Sequence, residues 1–381
     1  MERRLLQEPL IAEHVLLGLR AVKPVGVECA VLHAGPPSDP VRPSDSRSRR
    51  ARHPGHAFYP QLFALIYRTR SFRASIKGSK RRETEAMSEK SEKIGFIGLG
   101  LMGQGFTKRL CQQGHPVIGF DRLAEKMETA KAHGVVPAGS AADVASAANI
   151  VHICVMTKAD LEAAVFGEGG IAESGSADKI LIDHSTTPVE VTKAFAKRLF
   201  EGTGMAWVDA PISGGPPAAE AGTLAIMVGA DDAVIARVLP VLSDLGEPTH
   251  MGPIGAGQVT KMVNQVVVLN NFCILAEALA LAEAGGVDAT KIPSALGGGY
   301  AGSNMLQKIF PRMIERDYAP AGYLFQCMKD LDMVHDIARD LKVPTPMAHQ
   351  AATLYRIMMS KGHGELDAIS VLKLYDGGDG V

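Results

Sequence analysis

The 381-residue chain has five cysteines, at positions 29, 111, 154, 273 and 327, with no CxxC pair and no metal-ligand spacing. A dispersed odd set gives no sign of a disulfide framework or a zinc site and fits reduced thiols in a reducing compartment. No apolar stretch of secretory length follows the first Arg pair. The most apolar region, Val259 to Val287, is interrupted by Asn264, Asn270, Asn271, Glu277 and Glu283. A membrane span needs about 20 apolar residues with few or no charges, so no membrane role is expected from it. Internal repeats are lacking, and so is a net charge of any size: 40 Lys and Arg stand against 41 Asp and Glu.

That balance hides two regions. Residues 1–86 carry 16 Lys and Arg against 8 Asp and Glu, and the remainder carries 24 against 33. The acidic remainder argues against general nucleic-acid binding, which needs a basic face. The basic segment holds HAGPPSDPVRPSDSRSRRARHPGH, too rich in Pro, Ser and Arg to bury a core. Residues 1–86 are therefore expected to be a disordered extension or a mis-assigned start, with the protein opening at Met87. A basic interaction arm is another reading. So is a mitochondrial transit peptide, which Glu2, Glu8, Glu13 and Glu28 oppose. Unless it is such a peptide, a cytoplasmic location is expected.

From Lys93 the pattern changes. KIGFIGLG is a short apolar run ending in glycines, MGQGFTKRLCQQGH has helical periodicity with a Gly stop, and PVIGFD is a second strand closed by Asp121. Strand signals recur at 149–155, 178–185, 205–213 and 222–230, alternating with helical stretches, as in βαβ units around a parallel sheet. After about residue 254 they stop. Val259–Ala284, Lys291–Leu296, Met305–Glu315, Met328–Leu341 and Pro346–Lys361 read as helix. The expected fold is α/β: a Rossmann-type dinucleotide-binding domain over 87–253, then a long interdomain helix opening an all-helical domain over 254–381.

Three stretches carry chemistry. GLGLMG places Gly98, Gly100 and Gly103 between a strand and a helix. Gly98 permits the tight turn, Gly100 lets backbone approach a pyrophosphate, and Gly103 lets helix pack on strand. The helix start, with Leu101 and Met102, offers free N–H groups to the anion. Asp121 lies 23 residues after Gly98, near the spacing for a carboxylate on a ribose 2′-OH. That favours NAD, with Arg122 leaving NADP open. In DAPISGGPPAAEAGTL, the Ser213 hydroxyl and consecutive N–H groups form either a nest for a carboxylate or a plain turn. GQVTKMVNQVVVLNN sets Lys261, Asn264 and Gln265 on one face of an apolar helix. A buried lysine has a lowered pKa and suits proton transfer to and from a hydroxyl; the plainer alternative is a lysine that snorkels to water. His184 and His250 sit near strand ends and read as core or surface. Cys154 is expected in a buried strand and inert, and the methionines of the helical part as core filler.

In combination, GFIGLGLMG, DAPISGG, GAGQVTKMVNQ and KDLDM (Lys329 to Met333) resemble the β-hydroxyacid dehydrogenase family over about residues 93–375. The resemblance implies an NAD(P)-dependent enzyme acting on the CH–OH group of a small carboxylate substrate, commonly a homodimer or homotetramer. It implies that Lys261 is the catalytic lysine, that Asn264 contacts substrate and holds it in register with Lys261, and that Ser213, Gly214 and Gly215 bind the substrate carboxylate. It places Val155, Met156 and Thr186 near the cofactor, with Lys329 closing over the nicotinamide side. Val155-Met156 departs from the Leu-Pro of many members, and Pro217 from their Gly. SGGPP, VNQ and GGGYAGSNML are similar to the tartronate semialdehyde reductase branch, with the 3-hydroxyisobutyrate branch as the alternative. The retained Lys261 speaks against the imine reductases of similar fold, and the short helical part against the longer 6-phosphogluconate enzymes. A non-catalytic binding protein on the same fold is the alternative of another class; the intact motif residues oppose it.

Overall fold

The computed structural model describes residues 92–376. The expectations for residues 1–86 lie outside them.

The first strand, β1 (Ile94–Ile97), is buried at every position. That is the signature of a central parallel strand covered on both faces. It pairs in parallel with β2 (Val117–Phe120) on one side and β4 (Ile150–Ile153) on the other. A short β3 (Val136–Pro137) extends the β2 edge, and β5 (Ile180–Asp183) and β6 (Ala206–Asp209) extend the other. The order 3-2-1-4-5-6 is that of a dinucleotide-binding sheet, with the crevice where the order reverses, at the carboxyl ends of β1 and β4.

The parallel pattern ends at β6. Strand β8 (Leu224–Gly229) runs antiparallel to β6 and to the two-residue β7 (Ile212–Ser213), and β9 (Gly246–Gly252) adds in parallel to β8. β9 and β3 escaped the sequence pattern. Most of β9 is half-buried or exposed and holds Gly, Pro and polar residues, so it carries no apolar run.

Helices cover both faces. One core joins Phe96, Ile150, Ile182 and Val208 to Phe106 and Leu110 of α1 (Leu101–Gln112), and the other joins Val151, Ile153, Leu181 and Trp207 to Phe195 and Leu199. Neighbouring strand residues alternate between the two cores, as the pleat requires. Five further helices lie in this part: α2 (Ala124–Lys131), α3 (Ala141–Ala147), α4 (Lys158–Phe166), α5 (Val189–Thr203) and α6 (Gly215–Ala221). A sixth, α7 (Asp232–Leu245), precedes β9.

The second part is built on α8 (Ala256–Ala284), 29 residues and so about 43 Å long. By length and apolarity α8 passes as a membrane-crossing helix, but it carries the buried Lys261 and Gln265. Leu269, Cys273, Ala276 and Leu279 join it to the core of the second part. α9 (Ile292–Leu296) follows, and the stretch expected as one helix over Met305–Glu315 is two, α10 (Asn304–Lys308) and α11 (Phe310–Ile314), broken at Ile309 before Pro311. α12 (Leu324–Leu341) and α13 (Pro346–Ser360) complete the bundle. Met262, Met313, Met328, Met333 and Met358 are buried there as filler.

Candidate active site

The three glycines of the β1–α1 turn have three different surroundings. Gly98 has φ +88°, and a Cβ on it would lie 2.2 Å from the Cys154 carbonyl. A Cβ on Gly103 would lie 2.0 Å from the Gly98 carbonyl, so helix meets strand there with no room for a side chain. Around Gly100 nothing lies within 4 Å of an added Cβ: the space beside it is open. Gly100 is also the N-cap of α1, without a side-chain cap and with no acidic residue in the first turn. Open space, uncapped N–H groups at Leu101 and Met102, and a helix dipole fit a pyrophosphate.

Asp121, half-buried just past β2, accepts from the Leu99 N–H at 2.8 Å and the Leu123 N–H at 2.9 Å. Its carboxylate thus braces the glycine turn while keeping lone pairs for a ribose hydroxyl. Arg122 is held at 3.0 Å by Asp160, the capping-turn acid of α4.

The loops after β4 and β5 are tied together. Val155 N–H donates to the Ser185 hydroxyl, and Ser185 N–H donates to Asp183. Lys329 on α12 reaches across and donates to the carbonyls of Thr186 (3.1 Å) and Met156 (3.3 Å). Val155, Met156, Thr186 and Lys329 are therefore one cluster. Cys154 follows β4 rather than lying in it, and burial pushes its thiol up to about 12.

Lys261 is 9% exposed, and its ammonium donates to the Ile212 carbonyl at 2.8 Å. It does not snorkel. Burial lowers its pKa, while Asp330 and Cys327 pull it back up and Lys329 pushes it down. Ile212 immediately precedes the Ser213–Gly215 turn, where Gly214 (φ +135°) and Gly215 (φ +70°) take conformations that side chains disfavour. Asn264, one turn on from Lys261, bonds to its neighbour. Its amide donates to Gln265 Oε1 at 2.9 Å, and Gln265 in turn donates to Asp330. The Ile212 carbonyl is the hydrogen-bond partner of the Lys261 ammonium.

Sequence reasoning quoted three buried polar residues without giving them roles. Gln258 donates to the Ser185 carbonyl at 2.8 Å and accepts from Thr187 N–H at 3.2 Å, pinning α8 to the β5 loop. Asp209 accepts from the Gly255 and Gln258 N–H groups. Asp330 ends the amide chain from Asn264. Asp209, inside the apolar stretch AWVDAPI, carried the same signal that singled out Lys261; Gln258, after glycines, and Asp330, beside Lys329 and Asp332, carried no such signal. His184 is core: it stacks between Phe106 and His152, and burial holds it neutral with a pKa of about 4. His250 is exposed, its ring bonded to the Ala230 carbonyl.

Two family models match this chain. One describes the NAD-binding domain of 6-phosphogluconate dehydrogenase and covers residues 93–263; the other describes the NAD-binding part of NADP-dependent 3-hydroxyisobutyrate dehydrogenase and covers 255–375. The 2-hydroxy-3-oxopropionate reductase of Escherichia coli is 35% identical over 279 residues, 72% of this chain and 94% of that one. The 2-(hydroxymethyl)glutarate dehydrogenase of Eubacterium barkeri is 32% identical over 295 residues, 77% and 98% of the two chains. This chain belongs to the β-hydroxyacid dehydrogenase family. It is an NAD(P)-dependent oxidoreductase acting on CH–OH groups. The 3-hydroxyisobutyrate dehydrogenase of Mycobacterium tuberculosis, solved with L-serine, superposes with a TM-score of 0.66 at 29% identity, covering 75% of this chain and 99% of that one.

Proposed function

We propose that this dehydrogenase uses Lys261 as its proton carrier and reduces 2-hydroxy-3-oxopropionate (tartronate semialdehyde), with 3-hydroxyisobutyrate oxidation as the second reading. The observation that carries the site assignment is the juxtaposition of a buried lysine of lowered pKa with the Ser213–Gly215 turn, through one hydrogen bond to Ile212. The nicotinamide, when bound, accepts or donates the hydride. Neutral Lys261 takes the hydroxyl proton during oxidation, and its ammonium returns that proton to the carbonyl oxygen during reduction. The Ser213 hydroxyl and the N–H groups of Gly214 and Gly215 bind the substrate carboxylate. Asn264 reaches the substrate with the side of its amide not spent on Gln265. Lys329, anchored on Met156 and Thr186, holds the cofactor loops closed.

The choice of substrate is supported by the 35% identity to the Escherichia coli reductase and by the SGGPP and VNQ stretches. Relatives of similar identity act on other acids, so the assay decides. NADH and NADPH oxidation with tartronate semialdehyde is run beside NAD reduction with 3-hydroxyisobutyrate. Turnover of the semialdehyde with no turnover of the hydroxyisobutyrate is expected; the reverse selects the second reading.

A further inference from the structure

Helix α8 begins in an unusual way for so long an element. Its N-cap is Gly255, with φ +95°, no side chain and no acidic residue in the following turn. The free N–H groups of its start need partners, because they are buried against the sheet. They find them in a residue from far back in the chain. Asp209, fully buried at the end of β6, accepts from Gly255 N–H through Oδ1 at 2.7 Å and from Gln258 N–H through Oδ2 at 2.9 Å.

The fit around that carboxylate is tight. A Cβ on Gly229 would lie 2.3 Å from Asp209 Oδ1, and one on Gly257 would lie 2.8 Å from Oδ2 and 2.4 Å from the Met227 carbonyl. A Cβ on Gly255 would press on Lys193 and Val189 of α5. Gly229 and Gly257 thus leave room for one side chain, and that side chain holds the helix start.

Three residues after Asp209 comes Ile212, whose carbonyl receives the Lys261 ammonium. The peptide 209–212 therefore grips α8 twice, at its first turn through Asp209 and near its second through Lys261. The same peptide runs directly into the Ser213–Gly215 turn. Gln258 adds a third tie, to the loop at Ser185 and Thr187.

We propose that Asp209 is a positioning residue for Lys261: by anchoring the first turn of α8 to the end of β6, it fixes the lysine at hydrogen-bond distance from the strand that carries the carboxylate-binding turn. The inference rests on Lys261 being the proton carrier. The charged groups around the pair are Asp183, beside Asp209 in register on β5, Lys193 of α5 near Gly255, and Asp330, Cys327 and Lys329 of α12 facing Lys261. Burial raises the Asp209 pKa to about 6 against the pull of backbone N–H groups, so at neutral pH the anchor is mainly ionised.

The test is Asp209→Asn in the full chain. Asparagine turns one of the two acceptors into a donor facing an N–H. Turnover in the oxidation direction is followed across pH, with NADH binding measured by fluorescence. Turnover is expected to fall on the order of 10²-fold, the scale of an ångström-sized misplacement, with NADH binding intact. The midpoint of the rise with pH is expected to move up toward the ordinary lysine value as Lys261 gains water. A purely structural loss leaves that midpoint in place, and such a result, or unchanged turnover, overturns the inference. If Asp209→Asn does not fold, Asp209→Ser, which keeps a hydroxyl acceptor at the cap, is read by the same criteria. Full turnover in Lys261→Ala would remove the proton-carrier reading and this inference with it. Full turnover in Asp209→Asn beside an inactive Lys261→Ala removes this inference alone.

Discussion

The two walls of the candidate site are made of different materials. The β1–α1 turn is made of backbone: its function lies in side chains that are missing, at Gly98, Gly100 and Gly103, within six consecutive residues. The start of α8 is made of side chains: Lys261, Gln265 and Gln258 are buried polar groups, each satisfied by a partner 49 to 73 positions away. A backbone site tolerates change around it as long as the turn keeps its shape. A site of buried side chains depends on every partner, because an orphaned polar group in the interior costs about 1–3 kcal/mol.

The sharpest break in that comparison is Lys261→Ala. General acid–base catalysis contributes about 10²–10⁴-fold, and a loss of that size in turnover is expected, with NADH affinity unchanged. Stopped-flow turnover and fluorescence titration check the two halves. Unchanged turnover would leave the α8 wall with no chemical role.

The backbone wall is tested by Gly100→Ala against Gly98→Ala. At Gly98, a φ of +88° and a carbonyl 2.2 Å from the added Cβ predict a destabilised protein. Left-handed backbone alone costs about 1–2 kcal/mol for a residue with a Cβ. At Gly100 the added methyl meets no protein atom. Replacing the N-cap costs at most about 1 kcal/mol, so the folded protein is expected to survive with a nearly unchanged melting temperature. Cofactor affinity is expected to drop by at least about tenfold, some 1.4 kcal/mol, because the methyl occupies the open space beside the helix start. Equal losses of stability in both variants would mean that Gly100 serves the fold.

The same contrast explains what the sequence made legible. The glycine turn is local: strand, three glycines, helix and Asp121 all fall within about 30 residues, and each has a conformational reason that a single stretch reveals. Lys261 was visible as a polar residue in an apolar helix, a pattern that left burial and snorkelling both open; the structure shows burial. The partner of Lys261 was not visible. A main-chain carbonyl at Ile212 has no sequence signature, and neither does the bond from Asn264, one turn away, to Gln265. β9 was missed for a similar reason: its pairing with β8 is by backbone, and its half-exposed side chains follow no apolar period. The break between α10 and α11 had a visible cause in Pro311, outweighed by the apolar periodicity around it.

The mildest test concerns the proton itself. Oxidation needs neutral Lys261, so its rate is expected to rise with pH and level off, with a midpoint below the ordinary lysine value of 10.5 because burial disfavours the ammonium. Reduction needs the ammonium and is expected to fall through the same midpoint. Asp330 pulls that midpoint upward, and it also accepts from Gln265. Asp330→Asn removes the charge while its amide oxygen still accepts the Gln265 bond, so the side-chain wall stays assembled. The midpoint should then move further down, with plateau turnover falling less than in any α8 variant. A midpoint that stays still would mean that Asp330 acts on Lys261 only through the amide chain. A fall in plateau turnover as large as that of Lys261→Ala would mean that the wall is a single unit, in which the charge and the hydrogen bonds cannot be separated.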